Sequence, residues 1–155
     1  MPDFATLWRN HPANDDPSLT NPCVNRQGAP TFANQCAIRM SVCLARSGIS
    51  FVSYRRTFCW YGHDRQHAIR AEELAAWLDS PVVQFVDYAE KRKRSARSVI
   101  SSQEFATRQG IALFKNFWGA GNQGDHIDLW DGSEMPHGNP SYFSLSQEVW
   151  FWDLA

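Results

Sequence analysis

Cys36 and His126 have the residue types and the settings of a thiol nucleophile and its base. Asn34 is a good helix N-cap residue, so Cys36 is expected in the first turn of a helix. At that position the helix dipole lowers the pKa of a thiol from its reference value of about 8.5, and the unpaired backbone amides can bind an oxyanion. His126 follows a glycine-rich turn and begins a predicted strand. The pair predicts acyl transfer through a cysteine nucleophile, with the backbone amide of Cys36 in the oxyanion hole.

A helix and a strand must bring these two side chains together. The helix is predicted from the Asn34 cap to Arg46, with Gly48 in the left-handed position that ends many helices. After Gly110 the apolar residues alternate, which predicts strands over Gly110–Phe117, Gly124–Trp130 and Gln147–Leu154. Helices first and an antiparallel sheet last predict a single α+β domain over residues 1–155, in the layout of papain-like enzymes.

Other segments carry weaker patterns. Residues 1–33 are rich in Pro and Asn and predict an irregular arm. Phe51–Tyr54 is interpreted as a short strand and Ala68–Leu78 as a helix, and a further helical region is expected from Pro81. This region leads into the basic run Lys91–Arg94, interpreted as a solvated face, with attraction of an anionic polymer as the alternative. Residues 101–104 are typical of a capping box that opens a short helix.

Composition limits the classes of function. The chain has 155 residues, of which 43% are hydrophobic and 14% aromatic, as in a packed globular domain. The formal net charge of −1 provides no positive field for nucleic acid. No apolar run approaches the length of a membrane span, and the N-terminal segment has no apolar core, so neither a span nor a Sec signal is expected. The four cysteines are spaced too irregularly for a zinc module.

Three segments, NQCAIRMSVCL, GDHIDLWDG and EVWFWDL, resemble the type VI secretion amidase effectors of family 4. The likeness extends from about Asn10 to the C-terminus. It implies a papain-like cysteine hydrolase without metal or cofactor, in which Cys36 is the nucleophile and His126 the general base. The implied reaction cleaves the amide between D-glutamate and meso-diaminopimelate in peptidoglycan stem peptides. The resemblance also implies synthesis in the cytoplasm, injection by the type VI apparatus into the periplasm of a rival, and an immunity protein that blocks the active site.

The third member of the catalytic group is less well defined. The family has an aspartate about eleven residues beyond the histidine, where this chain has His137. His137 is therefore the favoured residue to orient the His126 ring, with Asp128 and Asn139 as alternatives. Asp128 shares a strand face with His126, but two residues along a strand span ~6.6 Å, a long reach for a hydrogen bond.

Two other functions are compatible with the pattern. A papain-like thiol transferase uses the same nucleophile and base with an amine as acceptor, and a wall-binding domain without activity would keep Cys36 in its core.

Cys43 is expected in the core, and Cys23 and Cys59 form either a disulfide or two free thiols. His63 and His67 would share a helix face, without a third ligand to complete a metal site. Cations that could assist an anionic substrate are Arg39, Arg55, Arg56 and Arg65. The aromatic residues Trp60, Tyr61, Trp118 and Trp130 are expected mostly in the core.

Overall fold

Four antiparallel strands form one sheet in the computed structural model, which describes residues 1–18, 21–61, 67–116 and 124–155. The strands are β1 (Glu90–Lys93), β2 (Gly110–Lys115), β3 (His126–Trp130) and β4 (Glu148–Asp153), in the order β1-β4-β2-β3. The three strands predicted after Gly110 are confirmed as β2, β3 and β4. The glycine-rich turn before β3 and the predicted strand end at Phe117 lie largely outside the described residues.

Five helices precede or interrupt the sheet in the described part of the chain, and none of them is long and apolar enough to cross a membrane. The expectation of an irregular N-terminal arm is wrong for residues 4–15, where Asp3 caps the first helix by accepting the Thr6 N–H and Phe4 and Leu7 are buried on it. The described residues between 16 and 35 contain no helix or strand, as expected for the arm. The helices are α1 (Phe4–Asn10), α2 (Pro12–Asp15), α3 (Cys36–Arg46), α4 (Ala71–Leu78) and α5 (Tyr142–Leu145), with a 3-10 helix over Ser102–Phe105.

The predicted cysteine-bearing helix is confirmed as α3. It begins at Cys36 with Gln35 as its N-cap, one residue later than the sequence indicates, while Asn34 still accepts the Cys36 amide at 3.2 Å. Gly48 follows the C-cap with a φ of +87°, as predicted. The apolar side of α3 lies in a core between the helices and the sheet, with Met40, Cys43 and Leu44 fully buried.

Two of the other predicted elements are wrong. Phe51–Tyr54 forms a turn, and the region after Pro81 contains no helix. The basic run instead supplies β1, an edge strand that pairs with β4. Lys91 lies 4.0 Å from the centroid of the Trp150 ring on β4 and 2.8 Å from Asp79, so pairing and packing override the helical tendency. The capping box at residues 101–104 is confirmed, although it opens a 3-10 helix.

The outer strand β3 contributes to both faces of the sheet. Ile127 and Leu129 pack in the core shared with α3, whereas Trp130 packs in a second core on the other face. This alternation confirms the predicted division of the strand. The expected α+β class, with helices packed on an antiparallel sheet, is confirmed, and the contact between α3 and β3 brings Cys36 to His126.

Candidate active site

Cys36 lies at the first position of α3 and is 3% exposed. Its thiol donates a weak hydrogen bond to the Asp125 carbonyl, with 3.7 Å between sulfur and oxygen. Its backbone amide, the expected oxyanion donor, donates to the side chain of Asn34, which is exposed to solvent. The thiol is thus held at the residue that leads into β3.

His126 is the first residue of β3 and is 5% exposed. Its ring lies between Phe114, with centroids 6.2 Å apart, and Tyr142, at 5.2 Å. Burial alone would lower the pKa of His126, but hydrogen bonds with Asp128 and Cys36, and the negative charges that these two can carry, raise it to about 9. The environment therefore favours the imidazolium that forms when the thiol proton moves to His126.

Asp128 forms a hydrogen bond with the His126 ring in this structure. Its Oδ2 lies 3.2 Å from His126 Nε2, although strand spacing indicates a long reach for this contact. The spacing of ~6.6 Å applies to the backbone, and the two side chains lean towards each other from one strand face. Because a carboxylate only accepts, Nε2 carries the ring proton in neutral His126, which leaves Nδ1 as the basic nitrogen.

The Asp128 carboxylate accepts four hydrogen bonds although it is 1% exposed. Oδ1 accepts from the Leu129 amide at 2.9 Å and from His11 Nε2 at 3.1 Å. Oδ2 accepts from His126 and from the His137 amide at 3.0 Å. Burial raises the pKa of Asp128, but the positive charge that the two histidines carry when protonated, together with their hydrogen bonds, outweighs it and holds the pKa well below its usual range. The carboxylate is therefore ionised and has a partner at each of its acceptor positions.

His11 is a member of this cluster that the sequence pattern did not indicate. It caps α2, where its Nδ1 accepts the Ala13 amide at 3.2 Å. Since Nδ1 accepts, the ring proton of neutral His11 is on Nε2, which donates to Asp128. Its ring is 1% exposed. A histidine that follows a capped helix and precedes Pro12 has no sequence signal for such a contact.

The other two predicted third members lie beside this cluster. His137 is exposed, and its backbone amide is the group that contacts Asp128. Asn139 is also exposed and accepts the Ser141 amide at 2.9 Å in the turn before α5. Between them Gly138 passes so close that a Cβ there would lie 3.1 Å from His126 Nε2. The backbone of this loop thus lies against both His126 and Asp128.

A cleft of about 510 Å³ opens beside Cys36. Of the four predicted cations, Arg56 lines the cleft, whereas Arg39 is buried near Cys36 and Asp128. Arg55 donates to the Val52 carbonyl at 2.7 Å along another groove, and Arg65 lies outside the described residues. A cation that sequence reasoning missed, Arg70, also lines the cleft. The full lining comprises Asn34, Cys36, Arg56, Ile69, Arg70, Ala71, Glu72, Glu73, Ala76 and Asp125.

The remaining marked residues divide between core and surface. Cys43 is in the core as predicted, with its thiol 3.1 Å from the Leu7 carbonyl, and burial raises its pKa. Trp130 is buried, but Trp60 and Tyr61 are 64% and 49% exposed, contrary to expectation. His67 lies in an extended segment rather than on the predicted helix. His63 and Trp118 lie outside the described residues.

Comparisons with known proteins give the family and the fold of this chain. The family model of the type VI secretion system (T6SS) amidase effector protein 4, Tae4, matches residues 32–152. The Tae4 effector structure from Enterobacter cloacae is 20% identical, with a TM-score of 0.70 over 100% of this chain and 98% of that chain. Structures of two Tae4–Tai4 effector–immunity complexes also match, over 100% of this chain and 99% of the matched chain in each complex. The Enterobacter cloacae complex is 23% identical with a TM-score of 0.66, and the Salmonella Typhimurium complex is 19% identical with a TM-score of 0.67. The structural likeness establishes the fold, and no curated protein sequence matches the chain.

Proposed function

We propose that this chain, which belongs to the type VI secretion amidase effector 4 family, hydrolyses the γ-D-glutamyl–meso-diaminopimelate amide of peptidoglycan through Cys36. The observation that carries the proposal is the convergence of a helix-start thiol, a buried imidazole and a fully hydrogen-bonded carboxylate. In this proposal residues 1–155 act as one amidase domain.

The proton moves between Cys36 and His126. His126 Nδ1 takes the thiol proton while Nε2–H remains hydrogen-bonded to Asp128. The thiolate attacks the amide carbonyl, His126 then gives the proton to the leaving amine, and water resolves the thioester. Asp128 keeps its charge throughout and stabilises the imidazolium.

The oxyanion of the tetrahedral intermediate is held by the Cys36 amide, at the N-terminus of α3. This amide donates to Asn34 before substrate binds. Because the Asn34 side chain is exposed and lines the cleft, an incoming carbonyl can displace it. The site then exchanges one hydrogen bond for a stronger one to a charged oxygen.

The stem peptide carries carboxylates, and the exposed guanidinium group of Arg56 in the cleft can pair with one of them. Arg70 lies 3.9 Å from the Glu73 carboxylate, which also accepts the Thr57 amide at 3.1 Å, so a second substrate carboxylate would compete with Glu73 for Arg70. Arg56 is therefore the cation that best supports an anionic peptide substrate beside Cys36.

Related effectors form complexes with the immunity protein Tai4. We extend this to the present chain: an immunity protein covers the cleft beside Cys36 in the producing cell. The chain is exported by the type VI apparatus and acts in the periplasm of the target cell.

Digestion of Gram-negative sacculi with the purified chain tests the bond and the reaction class. Mass spectrometry of the muropeptides should show loss of the D-glutamyl–diaminopimelate linkage with addition of water. A thiol transferase would instead join an amine to the acyl product, and a wall-binding domain would retain the sacculi unchanged. Either of those results would contradict the proposal.

Replacing His11 tests its part in positioning Asp128. His11→Phe removes the donor to Asp128 Oδ1 and should lower kcat roughly tenfold, with KM almost unchanged. It should also shift the pH–rate profile, because the carboxylate loses a partner that supports its charge. His11→Gln, whose side-chain amide can donate to the same oxygen, should restore part of kcat. Equal kcat in wild type and His11→Phe, measured on purified muropeptides, would contradict this role.

The raised pKa of His126 predicts a pH-dependent stability. Because the folded-state pKa of about 9 lies above the ordinary value of 6.5, the stabilisation is complete below 6.5 and is lost as the pH rises through 9. Relative to His126→Gln, the wild type should lose about 3 kcal/mol of unfolding free energy over this window. Urea unfolding of both proteins at each end of the window measures the difference. A difference that stays constant with pH would show that His126 is not held as an imidazolium.

A further inference from the structure

Three side chains with soft or borderline metal-ligating atoms meet outside the catalytic cluster. They are Cys23, Cys59 and His67, and one ligand atom of each lies within 4.8 Å of the other two. Cys59 and His67 lie next to an antiparallel bridge between Phe58 and Ala68, and the Cys59 amide donates to the His67 carbonyl at 2.9 Å. Cys23 comes from the N-terminal arm. The fold therefore brings the three residues together from two separate segments.

The geometry of the two sulfurs suits a shared cation. Both cysteines are thiols in this structure, and their sulfur atoms are 3.5 Å apart. Two ligand sulfurs at about 2.3 Å from one tetrahedral Zn²⁺ are separated by roughly this distance. The imidazole of His67 adds a nitrogen donor of the kind that Zn²⁺ takes together with sulfur.

Hydrogen-bond donors approach both sulfurs. The Thr31 hydroxyl donates to Cys23 Sγ at 2.8 Å, and the Tyr61 amide lies 3.5 Å from Cys59 Sγ. Donors of this kind support the negative charge of a thiolate and hold it in one orientation, which is the usual arrangement around metal-bound cysteines. They are of less use to a disulfide, whose sulfurs carry no charge.

We propose that Cys23, Cys59 and His67 form a structural Zn²⁺ site. Binding replaces two thiol protons, which leave to solvent, and neutral His67 donates through one ring nitrogen, so no oxidant or reductant is needed. Three ligands come from the described residues, and a tetrahedral ion takes one donor more. The site requires reduced cysteines, so zinc binding and a Cys23–Cys59 disulfide exclude each other.

The site is tied to the start of α3. Gln35, the residue before Cys36, accepts the Cys23 amide with its Oε1 at 2.9 Å and donates its Nε2 to the Cys23 carbonyl at 2.8 Å. Both backbone groups of Cys23 are thus bound to the residue that caps the helix of the nucleophile. Zinc at Cys23 therefore stabilises the segment against which α3 begins.

Metal binding is tested in the 155-residue chain carrying Cys36→Ala, which removes the other thiol that stands beside a histidine. Co²⁺ added to the reduced, metal-free protein should give sulfur-to-cobalt charge-transfer bands and tetrahedral ligand-field bands, and one equivalent of Zn²⁺ should abolish them. In the same background Cys59→Ser and His67→Gln should each weaken Zn²⁺ binding by more than the roughly 10–100-fold that loss of an outer-shell partner costs.

Cys43→Ala in that background is the matched control, because it removes a thiol that contacts Leu7 instead of the cluster. It should keep the bands and the affinity. Zn²⁺ should also protect Cys23 and Cys59 from iodoacetamide, as read by peptide mass spectrometry. Absence of the bands in protein with a native circular dichroism spectrum, equal alkylation with and without Zn²⁺, or unchanged affinity in Cys59→Ser would each overturn the site. Since every readout is independent of amidase activity, the outcome does not depend on the proposed reaction.

Discussion

Cys36→Ala is expected to abolish the cleavage of peptidoglycan stem peptides, with a loss in kcat of roughly 10⁴-fold or more. No other cysteine can replace it: Cys43 is buried against Leu7, and Cys23 and Cys59 belong to the separate cluster. Without the thiol no acyl-enzyme forms, and the imidazole of His126 has no nucleophile to activate. The measurement is the rate of product release from purified muropeptides by chromatography and mass spectrometry.

Cys43→Ala on the same helix separates catalysis from packing. Both substitutions remove one buried sulfur from α3, so both should cost a similar amount of stability, about 1–2 kcal/mol. Only Cys36→Ala should lose activity. Full activity of Cys36→Ala would contradict cysteine catalysis, and an equal loss in both variants, with equally disturbed circular dichroism, would assign the effect to folding.

Asp128→Asn and His137→Ala should differ widely in activity. An asparagine at position 128 has one acceptor oxygen, whereas four donors converge on the present carboxylate. Its NH₂ group must face the donors that now contact one carboxylate oxygen, and because it cannot accept from them these donors lose their acceptor. Each unsatisfied buried group costs about 1–3 kcal/mol. The His126 imidazolium also loses its counter-charge. We expect at least about a 100-fold loss in kcat and a lower pKa for His126 in the pH–rate profile.

His137→Ala should keep kcat within a few-fold, because the contact of His137 with Asp128 is made by its backbone amide, which alanine retains. Together the two variants show whether His137, at the family aspartate position, or Asp128, on β3, orients the His126 ring. Unfolding by urea shows whether Asp128→Asn is folded under the assay conditions. An inactive His137→Ala beside an active Asp128→Asn would assign the orienting role to the His137 side chain instead.

Much of the site was predictable because its main residues begin regular elements. The N-cap at Asn34, the absence of Gly and Pro up to Arg46, and Gly48 define α3 from local signals. Alternation defines β3 and places His126 at its start. Local patterns of this kind depend on a few neighbouring residues, so they can be identified without the tertiary structure.

The contacts that complete the site depend on distant residues and could not be predicted in the same way. His11 precedes a proline near the N-terminus, and nothing in its neighbourhood indicates that its ring reaches Asp128. Strand spacing does not predict the contact between His126 and Asp128, because it describes the backbone and does not include the lean of the side chains. Likewise β1 forms from a basic run only because β4 offers it an edge and Trp150 a surface for Lys91.

The Asp128 carboxylate, which accepts four hydrogen bonds, also links the proposed activity to the completion of folding. Its donors come from the junction of α1 and α2, from β3 itself and from the loop after β3, so they meet only after long stretches of chain have closed into loops. A partly folded chain already contains the Cys36 thiol but has no base fixed in one tautomer and one orientation. In the proposed mechanism the catalytic group is thus assembled late, and Cys36 can act as a nucleophile only when the chain reaches its native topology.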